Sequence, residues 1–146
     1  MELDEIFYAA LSADETIVQL TEGRIESTCF EEPPANTGNT SVPNIVIEES
    51  TGQNELGTKD TIWESNTDVP SVDITINALS KNEVQQLRRL VRKAISSYIE
   101  SMTSSFPLLR SLSWAGVQYD WTKPCYFDTL HYQCEMDINL EDDNNG

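Results

Sequence analysis

A chain of 146 residues fits one domain, and at that length folding can bury roughly two-thirds of the unfolded surface without help from a metal or disulfide. Nine Lys and Arg stand against 25 Asp and Glu, a net charge of −16, which excludes the basic footprint that a nucleic-acid-binding surface requires. No stretch reaches the roughly 18 consecutive apolar residues of a membrane span, and the opening residues are acidic where a secretion signal would be basic, so a soluble cytoplasmic protein is expected.

The first element is a helix. Leu3, Ile6, Phe7, Ala10 and Leu11 recur at helical spacing, and Glu2, Asp4 and Glu5 sit where acids favour the helix dipole. Ser12 and Glu15 read as a capping box that opens a short second helix holding Ile17, Val18 and Leu20 and ending at Gly23. Arg24 to Phe30 reads as a short strand with Ile25 inward, and Glu31 to Val42, with its prolines, is a loop. A β-branched strand follows from Pro43 to Glu48. Glu49 to Pro70 is polar, a connection long enough to be functional or partly folded as a hairpin, with Thr61 to Glu64 as one arm.

The clearest unit is next. Val72, Ile74, Ile76 and Ala78 alternate with Ser71, Asp73, Thr75 and Asn77, the period of a strand buried on one face. Ser80 and Glu83 form a second capping box, and the helix it opens runs to about Met102. Val84, Leu87, Val91, Ile95, Tyr98 and Met102 make its apolar stripe, while Lys81, Arg88, Arg89, Arg92 and Lys93 lie on the remaining surface. Leu112 to Trp121 is extended and aromatic, with Gly116 marking a bulge or bend. Thr122-Lys123-Pro124 is a turn, and Leu130 to Leu140 alternates as a long strand with one wet face. The predicted fold is α+β, a mostly antiparallel sheet of about four to five strands with two main helices packed on one face. It occupies 1–140 as a single domain, followed by an acidic disordered tail at 141–146.

Chemistry is sparse. The six glycines form no phosphate loop, and the sequence has no G-x-S-x-G elbow. Cys125, His131 and Cys134 invite a zinc reading, but residues three apart on a strand point to opposite faces. His131 reads as a surface histidine beside Gln133 and Glu135. Asp128 and Glu135 are one of many carboxylate pairs that 25 acids produce by chance. Trp63, Trp114, Tyr119, Trp121 and Tyr126 form either a stacking platform or packing at an open end of the sheet. No catalytic, metal or cofactor residue is assigned, and no cofactor is expected. The candidate interface is the cationic helix face, Arg88, Arg89, Arg92 and Lys93, which could meet an acidic surface on another copy.

The order of these motifs resembles a known family. Ala9 to Leu11, Asp14-Thr16-Ile17-Val18-Gln19-Leu20 and Gly23-Arg24-Ile25 are similar to the opening of phage tail-completion and tail-terminator-like minor tail components, encoded by phages or prophages. Val42 to Ile47 matches their second strand, and Val72 to Ile76 with Ser80 to Ile99 matches their strand, polar turn and basic-faced helix. The chain departs from that pattern in its longer loops and its acidity. The resemblance implies a non-enzymatic virion assembly protein for tail completion or head–tail joining, present in the virion and in the host cytoplasm during assembly. It implies a ring homo-oligomer, commonly a hexamer, at the end of the tail tube. Its partners would be tail-tube and connector proteins; DNA would pass without specific binding, and no membrane would be involved. The competing reading is an acidic DNA mimic that inhibits a nucleic-acid enzyme, or another protein-binding module.

Overall fold

Alternating strands bury one face only when something covers that face, and here helices do. The computed structural model describes residues 2–28, 41–54, 67–103 and 107–137. In chain order these form α1 (Leu3–Ser12), α2 (Glu15–Thr21), β1 (Ile25–Ser27), β2 (Asn44–Glu49), β3 (Thr67–Asp68), β4 (Ser71–Ala78), α3 (Lys81–Ser101), β5 (Leu108–Trp114), β6 (Gln118–Asp120) and β7 (Cys125–Asp137). The class is α+β, with a mostly antiparallel sheet of seven strands. The expected four to five strands become seven because the aromatic segment divides into β5 and β6, and because β3 extends the side of β7 that β4 occupies.

The spatial order is β1, β2, β4, β7, then β5 and β6 together along the far side of β7. All pairs are antiparallel except β1 with β2, which is parallel with Ile25 opposite Ile45. A parallel neighbour needs a long return connection, and residues 28–43 supply one. β7 begins at Cys125, five residues before the expected Leu130, because its first residues pair with β6. The expected continuation to Leu140, the tail at 141–146, Cys29, Phe30 and the loop at 31–40 lie outside the described residues.

α1 lies over β1 and β2, and α3 over β4 and β7. The core between layers joins Ile6, Phe7 and Leu11 of α1 to Ile45, Ile47, Val72, Ile74, Ile76, Leu130 and Tyr132 of the sheet and to Val84, Leu87, Val91 and Ile95 of α3. The Phe7 ring meets Tyr132 edge to face at 5.1 Å. Burial of Asp4 is compensated by bonds from the Glu5 amide and from the Thr28 hydroxyl at 2.7 Å, which fastens α1 to the end of β1. The opposite face of the sheet carries polar residues, among them Asp73, Thr75, Thr129, His131 and Gln133, with Thr75 and Thr129 hydroxyls 3.0 Å apart.

Local signals at the helix ends divide into one that holds and one that moves. Ser80 caps α3 as predicted, its hydroxyl accepting from the Glu83 amide at 3.2 Å. Ser12 does not cap α2: it is the last residue of α1, and Asp14 takes the role, its carboxylate accepting from the Ile17 amide at 3.0 Å. The chain needs a corner of only two residues between the helices, which leaves Asp14 rather than Ser12 facing the exposed amides. α2 closes with amides of Gly23 and Glu22 bonded back to the carbonyls of Val18 and Gln19, and Gly23 follows with φ of 77°, which a side chain would oppose. The long polar connection is partly a hairpin stem, as one reading held. Its described arms are 50–54 and 67–71, with Gln53 and Val69 exchanging backbone bonds of 3.1 and 2.6 Å, whereas Thr61 to Glu64 lies outside the described residues.

The displaced cap gives a direct comparison. Asp14→Ala should lower unfolding free energy by about 1 kcal/mol, while Ser12→Ala should change it by less than about 0.5 kcal/mol. Urea denaturation of both variants followed by circular dichroism measures the difference.

Candidate functional site

The cationic helix face is where sequence and structure need the closest comparison. Residues 88 and 92 are one helical turn apart and point the same way; residues 89 and 93 form a second row, rotated about 100° around the axis. The structure therefore separates the four candidates. Arg88 and Arg92 face β5, where both guanidinium groups sit over the Trp114 ring, at 5.3 and 4.7 Å from its centroid. Lys93 instead lines an open groove of about 390 Å³ between α3 and the α1–α2 corner, with Ala10, Ala13, Asp14 and Tyr98. Arg89 is exposed between them.

Arg88 is not available to a neighbouring molecule in the way its spacing suggests. Its guanidinium donates to the Asp128 carboxylate at 2.7 Å, and that carboxylate is 1% exposed. Asp128 is the acid that a strand-period reading places on the helix-covered face of β7, in line with Leu130 and Tyr132. A carboxylate buried there requires compensation at each oxygen. One oxygen takes Arg88; the other accepts from the Gly116 amide at 3.2 Å and from its neighbour Thr129 at 2.9 Å.

Gly116 is where the aromatic segment bends. Trp114 is opposite Leu130 and Gln118 opposite Phe127, so three residues of one strand face two of β7, the arithmetic of a bulge. Gly116 has φ of 108°, a conformation side chains rarely adopt, and it aims its amide inward at Asp128. The predicted bend is thus real, and the amide at its apex meets the buried acid across from it. The pairing of Asp128 with Glu135 for acid–base chemistry does not form, because the two carboxylates lie on opposite faces of β7.

The other residues singled out in the sequence fall into ordinary settings. His131, on the polar face, is bonded to Asp73 on β4, a pairing that alternation alone could not reveal. Cys134 lies in the core, where burial pushes its thiol up to about 12, and burial also raises Cys125. His131 and Cys134 point to opposite sides of the sheet, and among the described residues no group of three or more His, Cys, Asp or Glu could hold a metal. Tyr119 joins Trp121 and Tyr126 edge to face, at 4.6 and 5.0 Å, while Trp114 stands apart under the arginines and Trp63 lies outside the described residues. Asp120 fastens the β6–β7 turn: its carboxylate accepts from the Thr122 hydroxyl and amide, which holds its pKa below the usual range, and the turn presents Trp121, 84% exposed.

What the site offers is therefore an edge. β5 and β6 pair with β7 on one side, and among the described residues no strand pairs with the other side. β5 is exposed along almost its whole length and shows Leu108, Leu109 and Trp114 to solvent. Sequence reasoning missed this edge because it placed Leu108 to Ser111 outside the strand; Pro107 ahead of them marks the start of an edge strand that the aromatic run obscured.

The two arginines should separate experimentally. Arg88→Ala leaves a buried carboxylate without its cation and should cost about 3 kcal/mol of stability. Arg92→Ala loses an exposed cation–π contact and should cost about 0.5–1 kcal/mol. Chemical denaturation monitored by tryptophan fluorescence reads both, and equal losses would contradict the assignment of Arg88 as the buried partner.

No family's sequence profile matches the chain, and no curated protein sequence matches it. Among solved structures, its fold is similar to a chain in the structure described as the virion of a native gene transfer agent (GTA) particle, at a TM-score of 0.50 and 10% identity. The likeness covers 92% of this chain and 94% of that one, and at this identity it is a likeness of fold.

Proposed function

We propose that this chain is a non-enzymatic structural protein of a phage or phage-like particle, acting in tail completion or head–tail joining as a ring of copies at the end of the tail tube. The observation that carries the reading is the end-to-end fold likeness to a virion chain, 92% of one and 94% of the other, which leaves little of either chain unmatched. The resemblance to tail-completion proteins, drawn from the opening segment and from Val72 to Ile99, supports the same role.

The surface suits it. Chemistry here is that of contact: a polar sheet face, an exposed edge strand and a cationic helix on an otherwise acidic molecule. In a ring around passing DNA, an acidic lining keeps the duplex from adhering, because phosphates and carboxylates repel at short range. The partners would be further copies of the chain and the tube and connector proteins at either side. A DNA mimic would need carboxylates arrayed along one continuous face, and the outer face of α3 carries cations instead.

Deleting the coding sequence from a particle-producing strain tests the proposal. The expected result is particles with uncompleted tails or heads and tails left unjoined, with the chain detected by mass spectrometry in complete wild-type particles. Normal particles in its absence would contradict the role. A purified chain that stays monomeric and inhibits a DNA-processing enzyme would favour mimicry.

A further inference from the structure

Charge is distributed along this chain unevenly. Residues 81–123 hold seven of the nine basic residues against three acids, a net charge of +4, and the rest of the chain carries −20. Among the described residues, part of that division falls at the two ends of the sheet. Within 81–123, α3 lies over β4 and β7 and reaches β5 through Arg88 and Arg92 above Trp114, Lys93 faces the α1–α2 corner instead, and β5 and β6 form the last strand position of the sheet.

The sheet ends at the other side with β1 and β2. There Glu22 leads into β1, Glu26 lies on it, and Glu48 and Glu49 end β2, with Arg24 the one basic residue of that group. The two ends of one sheet thus carry opposite charge.

The cationic end is also the end that lacks the usual protection of an edge strand. Natural sheets blunt their edges with short strands, inward charges, bulges or a covering element, since exposed backbone donors and acceptors invite another strand. β5 has a register shift between Leu109 and Ser111, yet seven residues remain extended, with Leu108 at 49% and Trp114 at 40% exposure. An apolar, exposed strand flanked by arginines is suited to receive a strand flanked by glutamates.

We infer that copies of this chain associate head to tail, the β5 edge and the Arg89–Arg92 flank of one copy meeting the β1 edge and its glutamates on the next, so that the sheet continues from copy to copy. The contact is between two different surfaces, so it leaves both ends of a dimer open and propagates until the rotation closes a ring. The inference rests on the reading of the chain as an assembly protein and names the surfaces that this assembly would use.

The test uses charge exchange in the full chain. Variant one is Arg89→Glu with Arg92→Glu; variant two is Glu26→Lys with Glu48→Lys. Neither pair includes Arg88, whose loss would leave Asp128 buried without its cation. Each variant alone should associate at least about tenfold more weakly than wild type in sedimentation velocity, because like charges then face each other across every contact. An equimolar mixture of the two should regain association, since one has two acidic ends and the other two basic ends. That recovery also separates a lost contact from a misfolded variant. A wild-type chain that stays monomeric at every concentration would overturn the inference and leave the cationic edge to a different acidic protein. Association unchanged by either variant would overturn it by moving the contact elsewhere on the surface. The outcome is separable from the role in the particle: recovery in the mixture with normal particles in the deletion strain would retain the contact and reject the virion role, and the converse would do the reverse.

Discussion

A carboxylate that folding removes from water must be given a cation and hydrogen-bond donors, and in this protein that requirement organises one whole side of the molecule. Asp128 sits on the helix-facing side of the longest strand, next to Leu130 in the row that lines the core. Its oxygens reach three separate places: a guanidinium on α3, the amide of a bulged glycine between β5 and β6, and the amide of its own neighbour. With the carboxylate in place, the helix is set over β7, the edge strand bends at a defined residue, and Trp114 is brought under both arginines.

The consequence for function lies in what the ion pair uses and what it leaves. Arg88 is consumed inside the chain, so the cationic face available to another molecule is smaller than the helical wheel indicates and shifts toward Arg89 and Arg92. The same anchoring holds β5 as an ordered edge rather than a loose loop. The inferred contact pairs this strand edge, with positive charge beside it, with the acidic end of the same sheet on another copy, opposite to it in sign. Charge as a bulk quantity, −16, describes repulsion of nucleic acid; the inferred contact uses instead the arginines beside β5 and the glutamates of β1 and β2.

Much of this was legible in the residues, and the parts that were not have identifiable causes. The alternation in Val72 to Ala78 and the stripe from Val84 to Ile95 predict β4 and α3 because both periods are long and uninterrupted. The expected cap of α2 falls two residues early, since Ser12 and Asp14 are both good caps and only the geometry of the corner chooses between them. Arg88 looked the same as Arg89 and Arg92 because its partner lies forty residues away, on an element whose face depends on the register of β7. The parallel placement of β1 was equally hidden, for pairing direction is set by the path of the connection rather than by the strand's own residues. Gly116, by contrast, announced a bend from sequence alone; what it could not announce was the acid that its amide would meet.

The central claim, that the β5 edge is a contact between copies, is most directly tested by hydrogen exchange of the full chain at increasing concentration. The account predicts that amides within 108–114 and 25–27 become slower to exchange as association proceeds, while those of the helix core, already protected, stay unchanged. If association proceeds and residues 108–114 exchange at the same rate throughout, with protection arising on another surface, the edge is not where copies meet.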